Sequence, residues 1–187
     1  NTDNHHTAFT VSIDATETTT GISAAERSMT ALACVRDGAA PDDFRRPGHM
    51  FPLEARAGGV LRRAGHTEAT VDLCRLAGLK EAGLCCEIMK DDGTMARLAD
   101  VRAFASAHGL KMTTIADLIA YRRRNDRLVE RVEDVDLPTD HGHFRLKMYR
   151  SRISGLEHLA LVKGDVADGK PVLVRVHSEC FTGDVLG

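Results

Sequence analysis

The start of the chain alternates between strand-like and helix-like patterns of hydrophobic and polar residues. Apolar and polar side chains alternate over 9–13, which predicts a half-buried strand. Ser23 and Glu26 have the spacing of a capping box, so a helix is predicted over 23–36. A Ser/Ala-rich turn is the alternative for these residues. The segment 37–47 carries Gly, Pro and Asp and predicts an exposed loop.

The middle of the chain continues this alternation of helices and extended segments. Helical spacing of apolar residues, with stop signals at Gly78 and Gly109, predicts helices over 67–77, 100–107 and 115–124. Asp100 is the predicted N-cap of the second of these helices. Short apolar runs predict extended segments over 48–53, 58–61, 83–88 and 111–114.

From residue 137 onward, strand patterns replace helical ones. Apolar runs over 144–150, 159–163 and 172–176 predict strands joined by turns. We therefore place a domain boundary between 136 and 137, which gives domains 1–136 and 137–187. The first domain is predicted to be α+β, with helices packed on a mixed sheet, and the second to open with strands alone.

Composition narrows the classes of function. Of the 187 residues, 43% are hydrophobic and 28% are charged, so the chain can bury a core. A formal charge of −2 argues against a general nucleic-acid or membrane-surface binder. No apolar run approaches the ~18 residues that span a bilayer. The five cysteines are odd in number and lack a C-x-x-C pair, which is typical of reduced thiols in the cytoplasm.

A basic, glycine-containing turn precedes the second predicted helix and is a candidate phosphate site. The N–H groups that begin a helix are unpaired and attract phosphate. Arg63 can add a bidentate contact, Gly65 permits close approach of the backbone, and Thr67 offers a hydroxyl donor. An ordinary capped helix with solvated arginines is the alternative interpretation.

Three further side chains are candidates for metal binding or proton transfer. His49 and His66 lie in predicted loops, where an imidazole can bind a metal or carry a proton near neutral pH. Glu87 interrupts an apolar run, and a carboxylate facing a cleft would suit acid–base chemistry. The alternatives are ordinary surface histidines and a carboxylate that points to solvent.

Several motifs occur in the order in which 3,4-dihydroxy-2-butanone 4-phosphate synthases have them. They include Arg46-Pro47-Gly48-His49 and Gly65-His66-Thr67-Glu68-Ala69. The similar segments are 14–15, 18–24, 46–49, 51–53, 58–63, 65–69, 86–88, 92–96 and 114–119. The chain resembles this family almost without interruption over 7–123.

This resemblance implies a homodimeric enzyme of riboflavin biosynthesis that depends on Mg²⁺ or Mn²⁺. It implies conversion of D-ribulose 5-phosphate to 3,4-dihydroxy-2-butanone 4-phosphate and formate. His66 would be a metal ligand, and His49 and Glu87 would be required for catalysis. The residues implied to bind the substrate are Arg63, Ala64, Gly65, His66, Thr67 and Glu87.

The family also has an acidic loop, an Arg-x-x-Glu-like run, that supplies a carboxylate ligand to the metal. We expect this loop upstream of the present sequence, so that the synthase domain here lacks its N-terminal part. Hard cations need several oxygen ligands, and we therefore expect little or no synthase activity from this chain by itself. The alternative is a catalytically impaired fragment that binds phosphosugars or serves in dimerisation.

The last residues resemble the first zinc and GTP motif of GTP cyclohydrolase II. The similar segments are 174–180 and 182–185. In a bifunctional, full-length parent, this resemblance implies that Cys180 is a zinc ligand. A zinc site needs three or four protein ligands, so one thiolate is not a site. The residues implied to bind GTP in that parent are Arg175, Val176, His177, Ser178 and Glu179.

Overall fold

The computed structural model describes residues 2–4, 7–178 and 180. They divide into two compact units, one up to Leu128 and one from Val129. The described residues form four α-helices and five strands, which confirms the α+β class. All pairings between these strands are antiparallel, so the parallel pairing expected of a mixed sheet is not found among them.

The first unit begins with a small antiparallel sheet. Strand β1 is Ile13–Ala15 and strand β2 is Phe44–Met50. The predicted strand over 9–13 therefore reaches the sheet only at its end, although Phe9 forms an isolated bridge with Leu53. The loop predicted over 37–47 is wrong in its last four residues, because they belong to β2, whose first two residues pair with β1.

Helix α1, Ala24–Val35, packs against this sheet. Its N-cap is Ser23, whose hydroxyl accepts a hydrogen bond from the N–H of Glu26 at 3.2 Å. The alternative of a Ser/Ala-rich turn is therefore wrong, and the predicted helix is confirmed. The carboxylate of Glu26 binds the preceding loop instead of completing the capping box.

Three further helices confirm the predicted pattern. They are α2, His66–Leu76, α3, Leu98–Ala107, and α4, Ile115–Asn125. The predicted cap of α3 is wrong by three residues. Arg97 is the N-cap, and Asp100 lies in the first turn, where its carboxylate accepts from the N–H of Arg97 at 2.8 Å.

A small core joins α2, α4 and a 3-10 turn, Gly59–Leu61. The predicted extended segment over 58–61 is wrong, because this turn places Val60 in the core. The buried apolar residues of the core are Val60, Ala69 and Leu118, with Ile115 and Ile119 packed against them.

An ionic network beside this core fixes the 3-10 turn to both helices. Asp72 is fully buried and accepts from the N–H of Val60 at 2.8 Å and from Arg122 Nη1 at 2.7 Å. Arg122 also donates to the carbonyl of Gly58 at 2.8 Å and pairs with Asp126. A buried charge is tolerated when it is paired and hydrogen-bonded, so the turn before α2 has a fixed position.

Two predicted strands of the first unit do not form. Residues 83–88 and 111–114 have no strand structure, and near the first segment only Met89 and Met95 form an isolated bridge. Leu84 is 70% exposed, and the next three residues are exposed as well. An apolar run becomes a strand when a neighbouring strand pairs with it, and the described residues supply no such partner.

The second unit is a three-stranded antiparallel sheet. Its strands are β3, Val129–Thr139, β4, Gly142–Ser151, and β5, Glu157–Val162. The last two confirm the strands predicted over 144–150 and 159–163, whereas 172–176 forms no strand. The predicted limit between 136 and 137 falls within β3. The two compact units separate after Leu128. The domain boundary between 136 and 137 stays a prediction.

Candidate active site

The predicted phosphate turn lies directly before helix α2. Gly65 is the N-cap and has extended backbone, and no side chain caps the helix. The N–H of Gly65 donates to the carbonyl of Arg63 at 2.8 Å, which makes the approach to the helix a tight turn. The uncapped first turn leaves N–H groups that can bind an anion.

Arg63 is held beside this helix start by a buried carboxylate. Its Nη1 donates to Oε2 of Glu68 at 2.8 Å, and Glu68 is only 1% exposed. The other carboxylate oxygen accepts from the N–H of Arg56 at 3.0 Å. Burial favours a raised pKa for Glu68, but the hydrogen bonds from Arg56 and Arg63 outweigh it and hold the pKa below its ordinary value. Glu68 is therefore ionised and orients Arg63.

A side chain at position 65 would have to displace the ends of two neighbouring side chains. A Cβ added there would lie 2.5 Å from Oε2 of Glu68 and would also collide with Arg63. Gly65 is predicted from the sequence to let a ligand approach the backbone. In the structure, the side chains of Arg63 and Glu68 lie at this position instead.

A shallow cleft lies next to the turn. Its volume is about 450 Å³. It is lined by Ala8, Glu54, Ala55, Arg56, Ala57 and Arg62. A smaller adjoining cavity is lined by Ala8, Glu54, Arg56, Arg63, Thr67 and Glu68. Three arginines line these cavities together with the carboxylates of Glu54 and Glu68, so the neighbourhood of the turn offers charged donors to an anionic ligand beside two acidic groups.

His49 lies on β2 and contacts a carboxylate of β1. Its Nδ1 is 2.7 Å from Oδ2 of Asp14, and its backbone N–H donates to Oδ1 of Asp14 at 2.8 Å. The Asp14 side chain is 9% exposed and the His49 side chain is 43% exposed. The imidazole is thus anchored on one side and accessible on the other, as an acid–base group must be.

The threonine-rich loop after β1 is tied to α1 by Glu26. The carboxylate accepts from the N–H and hydroxyl of Thr19, at 2.5 and 2.7 Å, and from the N–H of Gly21 at 3.1 Å. Hydrogen bonds from Thr19, and further ones from Thr20 and Gly21, lower the pKa of Glu26 to about 2 despite some loss of hydration. The loop next to Asp14 is therefore well defined.

The three predicted chemical groups are not joined to one another. His66, the first residue of α2, is exposed, and so is Glu87 in the segment after α2. No hydrogen bond or ion pair connects His49, His66 and Glu87 within the described residues. In the part of the chain that is described, no group of three or more His, Cys, Asp or Glu side chains could hold a metal ion.

The residues predicted to bind GTP lie near the end of the second unit. Arg175, Val176, His177 and Ser178 are exposed and have no regular secondary structure, and Cys180 is exposed too. Glu179 lies outside the described residues. The single predicted zinc ligand is thus not part of a metal cluster in the described portion.

Sequence reasoning missed the roles of four carboxylates, of which two contact predicted site residues and two fix the neighbouring loop and 3-10 turn. These are Asp14, Glu26, Glu68 and Asp72. The local signal for Glu68 was its place in the first turn of a helix, where a carboxylate can reach a preceding residue. Asp14 and Asp72 gave no such signal, because their partners are 35 and 50 residues away.

No helix within the described residues is long and apolar enough to cross a membrane.

Comparison with protein-family models gives two matches along the chain. Residues 1–121 match the model of 3,4-dihydroxy-2-butanone 4-phosphate synthase. Residues 130–187 match the model of GTP cyclohydrolase II.

Curated relatives are similar over the whole of this chain. The riboflavin biosynthesis protein RibBA of Bacillus mycoides (strain KBAB4) is 58% identical over 187 residues, which are 100% of this chain and 47% of the relative. RibBA of Bacillus subtilis (strain 168) is 59% identical over 188 residues, again with 47% of the relative covered. The chain thus spans about half the length of the curated relatives that it matches.

A solved structure supports the same assignment. RibBX, a two-domain 3,4-dihydroxy-2-butanone 4-phosphate synthase from A. baumannii, is 52% identical with a TM-score of 0.74, covering 88% of this chain and 49% of that one. A family model that matches most of the chain, together with these relatives, shows that the chain belongs to the 3,4-dihydroxy-2-butanone 4-phosphate synthase family.

Proposed function

We propose that this chain is the synthase part, with the opening of the cyclohydrolase part, of a bifunctional enzyme of riboflavin biosynthesis. The synthase converts D-ribulose 5-phosphate to 3,4-dihydroxy-2-butanone 4-phosphate and formate. Family membership supports this reaction, and the match of residues 130–187 supports GTP cyclohydrolase II activity in the whole protein. A cytoplasmic homodimer is part of the proposal.

The observation that carries the proposal is the uncapped start of α2 beside an arginine held by a buried carboxylate. A sugar phosphate at this turn would receive hydrogen bonds from backbone N–H groups, from Arg63 and from the Thr67 hydroxyl. Ala64, Gly65 and His66 are the remaining proposed substrate contacts of this turn. Glu68 already holds Arg63 in place, so little rotamer entropy is lost on binding.

The reaction requires proton transfers around the carbonyl group of the bound sugar. A base removes a proton from the carbon beside the carbonyl, and the C–H electron pair moves toward the carbonyl oxygen to form an enediolate. His49 and Glu87 are the proposed proton carriers, with Glu87 also contacting the substrate. Nδ1 of His49 contacts Asp14, which leaves Nε2 as the nitrogen proposed for this role.

A divalent metal is proposed for the synthase, because a 3,4-dihydroxy-2-butanone 4-phosphate synthase 42% identical to this chain was solved in complex with two magnesium ions. That structure has a TM-score of 0.60 and covers 67% of this chain and 64% of its own. His66 is the proposed ligand here, with Mg²⁺ or Mn²⁺. One imidazole does not suit a hard cation that needs several oxygens, and the described residues provide no fuller cluster. The proposed proton transfers are therefore assigned to the protein's own residues.

For the cyclohydrolase of the whole protein, we propose a zinc site that includes Cys180. The proposed GTP contacts are Arg175, Val176, His177, Ser178 and Glu179. Thiolate is a preferred zinc ligand. Loading the full-length protein with zinc and measuring GTP-dependent formate release would test this second activity.

Binding of ribulose 5-phosphate tests the proposed phosphate turn. We expect the sugar phosphate to raise the melting temperature of the chain, since ligand at 100 times its Kd adds about 2.7 kcal/mol. Arg63→Ala removes a charged hydrogen bond worth about 1.5–3 kcal/mol and should weaken binding roughly 10- to 100-fold. The control is Arg62→Ala, which removes an adjacent arginine that lines the cleft but does not contact Glu68.

Formate release with Mg²⁺ distinguishes the remaining possibilities. Binding without formate release favours a catalytically impaired phosphosugar-binding fragment. Absence of both binding and turnover favours a dimerisation fragment and contradicts the proposed phosphate turn. Equal weakening by Arg62→Ala and Arg63→Ala would contradict the specific role of Arg63.

A further inference from the structure

We propose that Asp14 is a positioning residue that fixes the tautomer of His49, so that Nε2 is the basic nitrogen. The inference deepens the proposed function, because it rests on His49 being a proton carrier. Asp14 itself need not touch the substrate. Its effect would act through the imidazole.

The geometry holds both the backbone and the ring of one residue with one carboxylate. Oδ1 of Asp14 accepts from the backbone N–H of His49 at 2.8 Å, and Oδ2 lies 2.7 Å from Nδ1 of the ring. Because the two contacts fix the main chain and the imidazole together, the ring has little freedom to rotate. Nε2 lies on the other edge of the ring from the nitrogen that contacts Asp14, and the side chain as a whole is 43% exposed.

The charge state of Asp14 determines the direction of the hydrogen bond. Burial opposes ionisation, yet the hydrogen bonds from the backbone and ring of His49 hold the pKa of Asp14 below its ordinary value. Arg27 adds a favourable positive charge, and its Nη1 donates to the carbonyl of His49 at 3.0 Å. An ionised carboxylate can only accept, so the nitrogen that faces it must carry the proton. Neutral His49 therefore has its proton on Nδ1 and its lone pair on Nε2.

The threonine-rich loop covers the other side of Asp14. Gly21 has a φ of 77°, and a Cβ at this position would lie 2.5 Å from Oδ1 of Asp14. Only glycine combines this left-handed backbone with so close an approach. Glu26 holds the loop in place through the N–H of Gly21 and the hydroxyls of the threonines. Water is thereby kept from Asp14, which strengthens its hydrogen bond to the ring.

This arrangement suits His49 to remove a proton from the bound sugar. Nε2 takes the proton and becomes an N–H, and the C–H electron pair stays on the sugar as the enediolate. The resulting imidazolium is stabilised by the negative charge of Asp14 at its other nitrogen. The same proton is then available to return to the substrate carbon or oxygen in a later step.

The tautomer of His49 in the unmodified chain tests the inference without any measurement of turnover. Long-range ¹H–¹⁵N correlation spectra of the ¹⁵N-labelled chain distinguish a protonated nitrogen from one with a lone pair. We expect Nδ1 to be protonated in neutral His49. Protonation of Nε2 instead would overturn the inference, whether or not the chain has synthase activity.

Asp14→Asn provides the second test. The backbone N–H of His49 can only donate, so the amide oxygen of Asn should face it and the amide NH₂ should face the ring. Nδ1 then becomes an acceptor, and we expect the proton to move to Nε2. The matched control Asp43→Asn changes a carboxylate that contacts Arg36 and the N–H of Ala40, and it should leave the His49 spectrum unchanged.

Kinetics in the full-length protein complete the test. Asp14→Asn should lower kcat for formate release by roughly 10²- to 10⁴-fold, the usual contribution of acid–base catalysis, with KM nearly unchanged. An altered tautomer with unaltered kcat would overturn the catalytic part of the inference. Lack of turnover in the unmodified full-length protein would instead contradict the proposed function and leave the tautomer result standing.

Discussion

The turn that carries Arg63 is fixed by buried hydrogen bonds, whereas the segment that carries Glu87 is exposed. Around the turn, buried Glu68 and Asp72 receive hydrogen bonds from arginines and from backbone N–H groups. Over 83–87 every residue is exposed, and Glu87 has no hydrogen-bond partner within the described residues. Both regions are similar in sequence to the same family, but only the turn is fixed by the chain itself.

This difference shows which parts of the candidate site are preorganised. A buried carboxylate with several donors has one favourable arrangement, because each unpaired donor or acceptor would be costly. Arg63 therefore has a fixed position in the turn before any ligand binds. The exposed carboxylate of Glu87 is not oriented in this way by the described residues.

Removing Asp72 should have the largest effect on stability. Asp72→Ala leaves the N–H of Val60 without an acceptor and leaves buried Arg122 with Asp126 as its remaining carboxylate. We expect a loss of about 3 kcal/mol in the free energy of unfolding, at the low end for a broken buried ion pair. Urea denaturation followed by circular dichroism measures it. Asp92→Ala, which removes a carboxylate bonded only within an exposed turn, should cost much less. Equal losses of stability from Asp72→Ala and Asp92→Ala would contradict the inference that the turn before α2 is held more firmly than an exposed turn.

A smaller, pH-dependent effect is expected from Glu26. Its pKa is about 2 in the folded chain, below the ordinary value of 4.5, so its contribution to stability is complete above pH 4.5 and is lost as the pH falls toward 2. Glu26→Gln should therefore lower stability at pH 6 and make it less sensitive to acid between pH 4.5 and 2. Thermal unfolding across this range measures the change.

The control for this experiment is Glu17→Gln, which alters an exposed carboxylate paired with Arg36. It should leave most of the acid sensitivity in place. If Glu26→Gln and Glu17→Gln changed the acid sensitivity of stability equally, the loop after β1 would not depend on Glu26. The loop would then resemble the exposed segment that carries Glu87.

Glu87→Ala should have the smallest effect on stability. Its exposed side chain has no partner to lose, and we expect a change within about 0.5 kcal/mol. Glu68→Ala is the matched change in the turn and should destabilise the chain measurably, because Arg63 and the N–H of Arg56 lose their acceptor. A large loss from Glu87→Ala in urea denaturation would show that the segment is better ordered than its exposure indicates.

Local sequence signals account for the parts of the fold that were predicted correctly. Ser23 marked the start of α1, and Gly78 and Gly109 marked the ends of α2 and α3. Such signals involve neighbours along the chain, so they are visible in one sequence. The strand predicted over 83–88 failed because strand formation depends on a partner, and apolar residues alone do not provide one.

The chemistry of the site was predictable only in part. The basic turn and the family motifs pointed to Arg63, His66 and His49. The contact of Asp14 with His49 joins residues far apart in sequence, and so does the Asp72–Arg122 pair that fixes the turn before α2. Nothing in the spacing of two residues 35 or 50 positions apart indicates that they meet.

The absence of space around Gly65 has a consequence for how this chain can change over generations. Its φ of −113° is open to every amino acid, so backbone conformation does not restrict the position. Even alanine would nevertheless push Arg63 away from Glu68. A substitution at position 65 should therefore also alter the contact between Arg63 and Glu68, and we expect changes at these three positions to be inherited together.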